Sequence, residues 1–330
     1  MLEYLTAGKH NGTQTGLAEV HASMSHDAVN RLLRAIEIDS DRLWREVHDT
    51  LPQCEDGCIL FDDTVLDKPH GMKIEMARRQ YSGNAGRVVR GIGVITCIYL
   101  NPHTQEWRII DYRFYDPDHD GKGKMDHVLE MIDTLENRGT SWKYGLCDSW
   151  YASVDVLMKM ANLGKVYYTA FKPNRTARLR PETSKIYAAI DTLAWTPEQE
   201  YHGMSIRAKG FPADHPMKLF KVPVSSNRTD FVVTNDPDCH SLDDASSHYK
   251  RRWAIECFHR EVKQLTAVER CQCRKRTAQR NHIGLCILAW IRLKHNAQKC
   301  ALTTYQYANQ WLTSALQTHL KNPYLTLKSA

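Results

Sequence analysis

No apolar run in the 330-residue sequence approaches the ~20 residues that a membrane-spanning helix needs. The longest, such as Ile283 to Ile291, are short and interrupted. No membrane partner is therefore expected. Met1 to Gly16 is polar and lacks the apolar core of a secretory signal, so the expected location is the cytoplasm. Internal repeats and low-complexity tracts are missing as well. The ten cysteines do not form the two paired ligand sets of a structural zinc site. The closest pairs are Cys54/Cys58 and Cys271/Cys273, so free thiols are expected. Cys97, Cys147 and Cys286 sit in apolar runs and read as small core residues.

What is present is ordinary for a soluble globular protein: 42% apolar and 25% charged residues, which excludes disorder as the main state. The distribution of charge says more than the net value of +6. From Ala245 to Cys300 there are 13 Lys/Arg against 3 Asp/Glu, a local balance of +10, so the rest of the chain totals −4. Lys172, Arg175, Arg178 and Arg180 form a second basic run without an acid. Such density suits a polyanion such as DNA, or else a solvated helix face.

Along the chain, Thr15–Ala22 and Ser25–Ile36 read as short helices with a turn between them and Ser25 as N-cap. The pair is either a DNA-reading helix-turn-helix or a plain helical hairpin packed on the main domain. Cys58–Val65, Val88–Leu100 and Trp107–Tyr115 read as three successive strands, with a turn-rich loop from Tyr81 to Gly86. Lys124–Asn137 has apolar residues at helical spacing, Tyr144–Cys147 is a short strand, Val154–Leu163 a helix stopped by Gly164, and Val166–Phe171 a strand. The order β-β-β-α-β-α-β is that of an RNase H-like domain, and several α/β folds share parts of it. The fold class expected is α/β, a mixed RNase H-like sheet flanked by helices. Its parts are a helical region at 1–50, a core split between 51–171 and 231–300, a β-rich insertion at 172–230, and a C-terminal helix at 301–330. In that last helix Trp311, Leu312 and Leu316 share a face, available to a dimer partner or to the chain's own core.

Leu242–Thr266 reads as one long helix. At 100° per residue, Tyr249, Arg252, Glu256, Arg260 and Lys263 share an arc of ~80°. Ala254, Ile255, Phe258, Val262 and Leu265 form the opposite, buried face. A lone carboxylate ringed by bases could be simple i,i+4 pairing, worth ~0.2–0.5 kcal/mol per pair. The spacing, however, is that of a signature. Tyr249, Arg252, Glu256 and Lys263 fit Y-x2-R-x3-E-x6-K, and the chain resembles DDE transposases of bacterial insertion sequences, the insertion-sequence-4 group. Phe61-Asp62-Asp63-Thr64 and Leu146-Cys147-Asp148-Ser149-Trp150-Tyr151 resemble that group's two aspartate motifs. The Asp-Ser-Trp-Tyr and Tyr-Ser-Gly-x-Ala-Gly wording is most similar to the insertion-sequence-701 branch, and the resemblance spans about Cys58 to Gln298.

This resemblance implies a metal-dependent DNA transposase that cleaves transposon ends and joins them to target DNA, with or without a hairpin intermediate. Asp63, Asp148 and Glu256 would be the catalytic, metal-holding residues for two Mg²⁺ ions, with Mn²⁺ as substitute. Asp62 competes with Asp63, because adjacent strand residues face opposite ways; the family motif places the ligand directly before Thr, which selects Asp63. Tyr249, Arg252, Lys263 and Arg260 would contact phosphates. Trp195, in the β-rich insertion, would either stack on an extruded base or belong to a core. The implied partners are double-stranded DNA, as terminal inverted repeats and target, and a second copy of the chain on that DNA. A bacterial cytoplasm, at the nucleoid, is the implied location. The chain is short at its N-terminus for this branch, which implies reduced or rearranged end recognition. Two other readings stay open: a nuclease of the same fold without strand transfer, and a non-catalytic, domesticated DNA-binding protein.

Overall fold

The computed structural model describes residues 2–7, 13–20, 25–83, 85–179 and 186–321. The strands are β1 (Cys58–Asp67), β2 (Arg78–Ser82), β3 (Arg87–Leu100), β4 (Trp107–Tyr115), β5 (Tyr144–Cys147), β6 (Val166–Phe171), β7 (Thr176–Leu179), β8 (Ala188–Ala189), β9 (Met204–Ala208), β10 (Lys218–Ser225) and β11 (Arg228–Thr234). The chain forms two compact units, one of residues 47–64 and 93–256, the other of 1–46, 65–92 and 257–330. Among the described residues no helix is long and apolar enough to cross a membrane.

The first unit is built on a mixed sheet ordered β4-β3-β1-β5-β6-β11-β10-β9-β7-β8. β1, β5 and β6 run parallel, whereas β4 is antiparallel to β3 and β11 to β6. The β4-β3-β1-β5-β6 order, with a helix at Lys124–Asn137 before β5 and another at Val154–Asn162 before β6, is the RNase H-like arrangement. β5 is buried along its whole length and β6 from Tyr167 onward, as strands covered on both faces must be. Gly145 lets Val154–Asn162 pack closely on β5, since a Cβ there would stand 2.4 Å from the Met160 sulfur. Residues 172–230 supply β7 to β10, which continue the same sheet beyond β11. Within that segment Arg175 is structural: its guanidinium lies 4.7 Å from the Phe171 ring centroid and bonds the Ala152 carbonyl.

The second unit is mainly helical. Asn281, on the helix Arg276–Lys299, donates to the Leu33 and Ile36 carbonyls and accepts from the Ile38 amide. Those three bonds cap the helix His26–Ala35 from outside, so the N-terminal helices pack here as part of a larger core. Ser25 is the N-cap expected, accepting from the Ala28 amide at 3.1 Å. Phe258 meets Trp290 edge to face at 4.8 Å. Lys68 is almost fully buried, and its ammonium donates to the carbonyls of Glu269 and Cys271. Burial pulls its pKa down. The side chains of Trp311, Leu312 and Leu316 lie outside the described residues, as do Ala22, Ser23, Asn84, Arg180 and Lys185.

Two expectations are corrected. Tyr81 and Ser82 belong to β2, pairing with Val88 and Arg87, rather than to the loop. The helix read as Leu242–Thr266 is two, Leu242–Lys250 and Trp253–Leu265. At the joint, Arg251, Arg252, Ala254 and Ile255 donate to carbonyls three residues back, so the turn tightens without a glycine or proline.

His282, 4% exposed, bonds the Ala267 carbonyl, and burial lowers its pKa from 6.5 to about 4. Between those values the unfolded chain binds a proton that the folded chain refuses, so stability falls as pH falls through the window. Calorimetric or denaturant titration from pH 6.5 to pH 4 is expected to show a loss on the order of 3 kcal/mol from this group. His282→Gln, which keeps a donor for Ala267, is expected to lose that much less over the same range.

Candidate active site

The site starts on β1. β1 and β5 are in parallel register from Cys58↔Tyr144 to Phe61↔Cys147, so the next residues, Asp62 and Asp148, stand alongside each other where β5 ends. Asp148 starts a tight turn. Its Oδ1 accepts from the backbone amides of Trp150 (2.9 Å) and Tyr151 (3.3 Å), and its own carbonyl accepts from the Thr169 hydroxyl on β6. The carboxylate is thereby fixed before any ligand arrives. Burial raises its pKa; the two amides and Arg252 work against that, and Asp63 adds to it.

The two adjacent aspartates on β1 face different partners, as strand alternation requires. Asp63 accepts from the Lys124 ammonium at 2.6 Å and from the Tyr151 hydroxyl at 2.6 Å. Asp62 accepts from the Asp63 amide and lies 3.8 Å from the Arg252 guanidinium. Burial and then the charge of Asp148 push Asp62 up to about 8. Both aspartates are therefore close enough to feel the charge of Asp148, and the strand places neither away from the site.

Arg252 sits at the helix joint, 14% exposed, and binds Glu256 one turn on as well as facing Asp62. Burial opposes its charge, but Tyr249, Glu256, Asp62 and Asp148 together raise its pKa. Tyr249 is buried, and its hydroxyl donates to Asp230 on β11, which is also gripped by Arg228 through two bonds. Lys263, in the helical unit, donates to the Val65 carbonyl at 2.7 Å and lies 3.8 Å from Glu269. Arg260 is exposed on the same helix, with Nη2 3.5 Å from the Cys257 sulfur. Trp195 is half-buried, with Lys221 4.7 Å from its ring centroid and its indole N–H without a hydrogen-bond acceptor.

The motifs do not point to Lys124. A signal exists all the same: it is the first residue of the helix Lys124–Asn137, where a cation opposes the helix dipole and needs a compensating partner. Asp63 is that partner.

Chemically, Asp62, Asp63, Asp148 and Glu256 offer hard oxygen donors suited to a divalent cation. Burial, and behind it the crowding of the three aspartates, raises Asp62 and Asp148, and this is the strain that such a cation relieves. Among the described residues no three His, Cys, Asp or Glu side chains are already gathered as a ligand set. Glu256 is turned onto Arg252 and Asp63 onto Lys124. Among the described residues no cysteine is joined in a disulfide.

Comparison with solved structures gives distant similarities. The Drosophila P element transposase strand transfer complex is 14% identical, covering 50% of this chain and 34% of that one at a TM-score of 0.28. The chain thus spans about a third of that protein's length. Human ENDOV is 10% identical over 71% of this chain and 98% of that one, with a TM-score of 0.31. The Mos1 transposase paired-end complex with left transposon end is 14% identical over 51% and 56%, with a TM-score of 0.20. No curated protein matches in sequence. The model of the transposase DDE domain, in contrast, matches residues 53–292, a span running from ahead of β1 into the helix Arg276–Lys299, and the chain belongs to that family.

Proposed function

We propose that the protein is a DNA transposase of the insertion-sequence-4 group, nearest the insertion-sequence-701 branch, that cleaves transposon ends and transfers them to target DNA. The observation that supports this reading best is the gathering of Asp62, Asp148 and Glu256 in the field of the Arg252 guanidinium, with Asp63 next to Asp62 on β1, within a transposase DDE domain. DDE transposases generally use divalent metal ions. Here Asp63, Asp148 and Glu256 would hold two Mg²⁺ ions, with Mn²⁺ able to replace them. When bound, such ions activate a water or 3′-hydroxyl and stabilise the leaving oxygen. The chain's own contribution is positioning. The Asp148 turn holds one carboxylate rigid, Tyr151 and Lys124 hold Asp63, and Arg252 links Glu256 to Asp62. Tyr249, Arg252, Lys263 and Arg260 would serve phosphates next to the cleaved end, which for Tyr249 and Lys263 means giving up their present acceptors. Trp195 is the proposed stacking partner for an extruded base in the β-rich insertion. The partners are terminal inverted repeats, target DNA and a second copy of the chain, in a bacterial cytoplasm.

The test uses the full chain, Mg²⁺, DNA carrying the inverted repeats that flank the gene, and a target plasmid. Joined products are expected. Hydrolysis without joining points to the nuclease reading, and binding without either points to a domesticated DNA-binding protein. In the same assay Asp63→Asn is expected to abolish cleavage, while Asp62→Asn retains it within about tenfold, because a charge beside Asp148 is lost but no ligand. The reverse outcome transfers the ligand role to Asp62.

A further inference from the structure

Trp150 is a large apolar side chain left 53% exposed at a place where the backbone is rigid. Its own amide is bonded to the Asp148 carboxylate, and the next two residues, Tyr151 and Ala152, are fully or almost fully buried. The indole is therefore projected from a fixed turn beside the reacting centre. It also has a charged setting. The Lys172 ammonium lies 4.8 Å from its ring centroid and the Lys124 ammonium 6.0 Å, the latter shared with the Tyr115 ring at 5.5 Å. Lys124 is committed to Asp63, whereas Lys172 is an exposed residue just beyond β6.

An exposed flat π-surface next to ammonium groups has a specific chemical complement: a ring that stacks, carried on an anionic backbone. An unpaired nucleotide has both, whereas a base inside a duplex has its faces occupied by its neighbours. We propose that Trp150 is a positioning residue that stacks on an unpaired base adjacent to the phosphate to be cleaved, with Lys172 contacting that nucleotide's phosphate. This rests on the DNA-cleaving reading above. It is independent of Trp195, which lies in the insertion with a lysine over its ring. Trp150 gives the site a preference for DNA that is frayed, overhanging or opened at the cleavage position.

The experiment uses the full chain in chelator, so that no cleavage occurs, with two DNA probes carrying 2-aminopurine: one in a short single-stranded overhang, one fully paired. The unaltered protein is expected to quench the overhang probe and to bind it about tenfold more tightly than the paired one. Trp150→Ala is expected to lose the quench and that preference while binding paired DNA about as well as the unaltered protein. Trp150→Tyr is expected to restore both in part, and Lys172→Gln to weaken both probes and lower the salt dependence by about one counterion. A Trp150→Ala protein that still quenches and prefers the overhang, or that loses both probes equally, overturns the proposal. Metal-dependent cleavage by the unaltered protein in a parallel assay keeps the two readings separate. If cleavage is present and stacking absent, only the role of Trp150 falls; if no DNA is cut or bound at all, the DNA-cleaving reading falls first.

Discussion

Asp148→Asn is expected to reduce metal-dependent DNA cleavage by about a thousandfold or more, the range in which a single electrostatic group of a preorganised site acts. The variant is informative because its structural cost is small. The amide oxygen of asparagine can still accept from the Trp150 and Tyr151 amides, so the turn after β5 keeps its hydrogen bonds. What disappears is a charge that burial and Asp63 already disfavour. Thermal melting in metal-free buffer should therefore stay level or rise while activity collapses. A variant that cuts DNA nearly as fast as the unaltered protein would show that Asp148 is no ligand. One that melts far lower would assign the residue a role in folding instead.

Arg252→Ala is expected to fail in both respects. Arg252 is largely buried, bonds Glu256, faces Asp62 and lies in the field of Asp148. Removing it leaves several carboxylates without their counter-charge, and breaking a buried pair from one side costs ~3–5 kcal/mol. The melting temperature should fall on the order of 10 °C. Lowering the pH should narrow that gap, because Asp62, pushed up to about 8, takes a proton and removes part of the uncompensated charge. Arg252→Lys restores charge but not the planar fork and is expected to fall between the two. Melting curves on either side of the Asp62 titration decide the matter. A gap of equal size on both sides would mean that Arg252 supports the fold through packing rather than charge.

Much of the core is legible in the residue pattern alone, and the failures have physical causes. The helix Lys124–Asn137 and the strands Trp107–Tyr115, Tyr144–Cys147 and Val166–Phe171 coincide with expectation, because apolar periodicity and flanking turn residues agree there. β2 escapes the pattern because Arg-Arg-Gln-Tyr-Ser carries no apolar alternation; its place is given by pairing with β3. The helix joint at Arg251–Arg252 has no local signal either. It is set by tertiary partners: His248 stacks on Tyr168 at 4.5 Å, Tyr249 bonds Asp230, Arg251 reaches the Cys58 sulfur, and Arg252 turns to Asp62. A periodic stripe through Tyr249, Arg252, Glu256, Arg260 and Lys263 requires a single continuous axis, which the joint breaks. Its buried side nevertheless holds, since Ala254, Ile255, Phe258, Val262 and Leu265 are all buried. The motifs single out Asp63 and Asp148 as candidates, and only the folded chain brings Lys124 to Asp63.

That last pairing bears on how the protein endures without its ions. Asp63 is neutralised by Lys124, and Glu256 by Arg252, using side chains of the chain itself. Small zinc domains behave otherwise: their ligands are held together by the ion and the fold is lost with it. Here internal cations stand in the role of counter-ions, so a chelator should silence the protein reversibly and leave it folded, ready to be recharged.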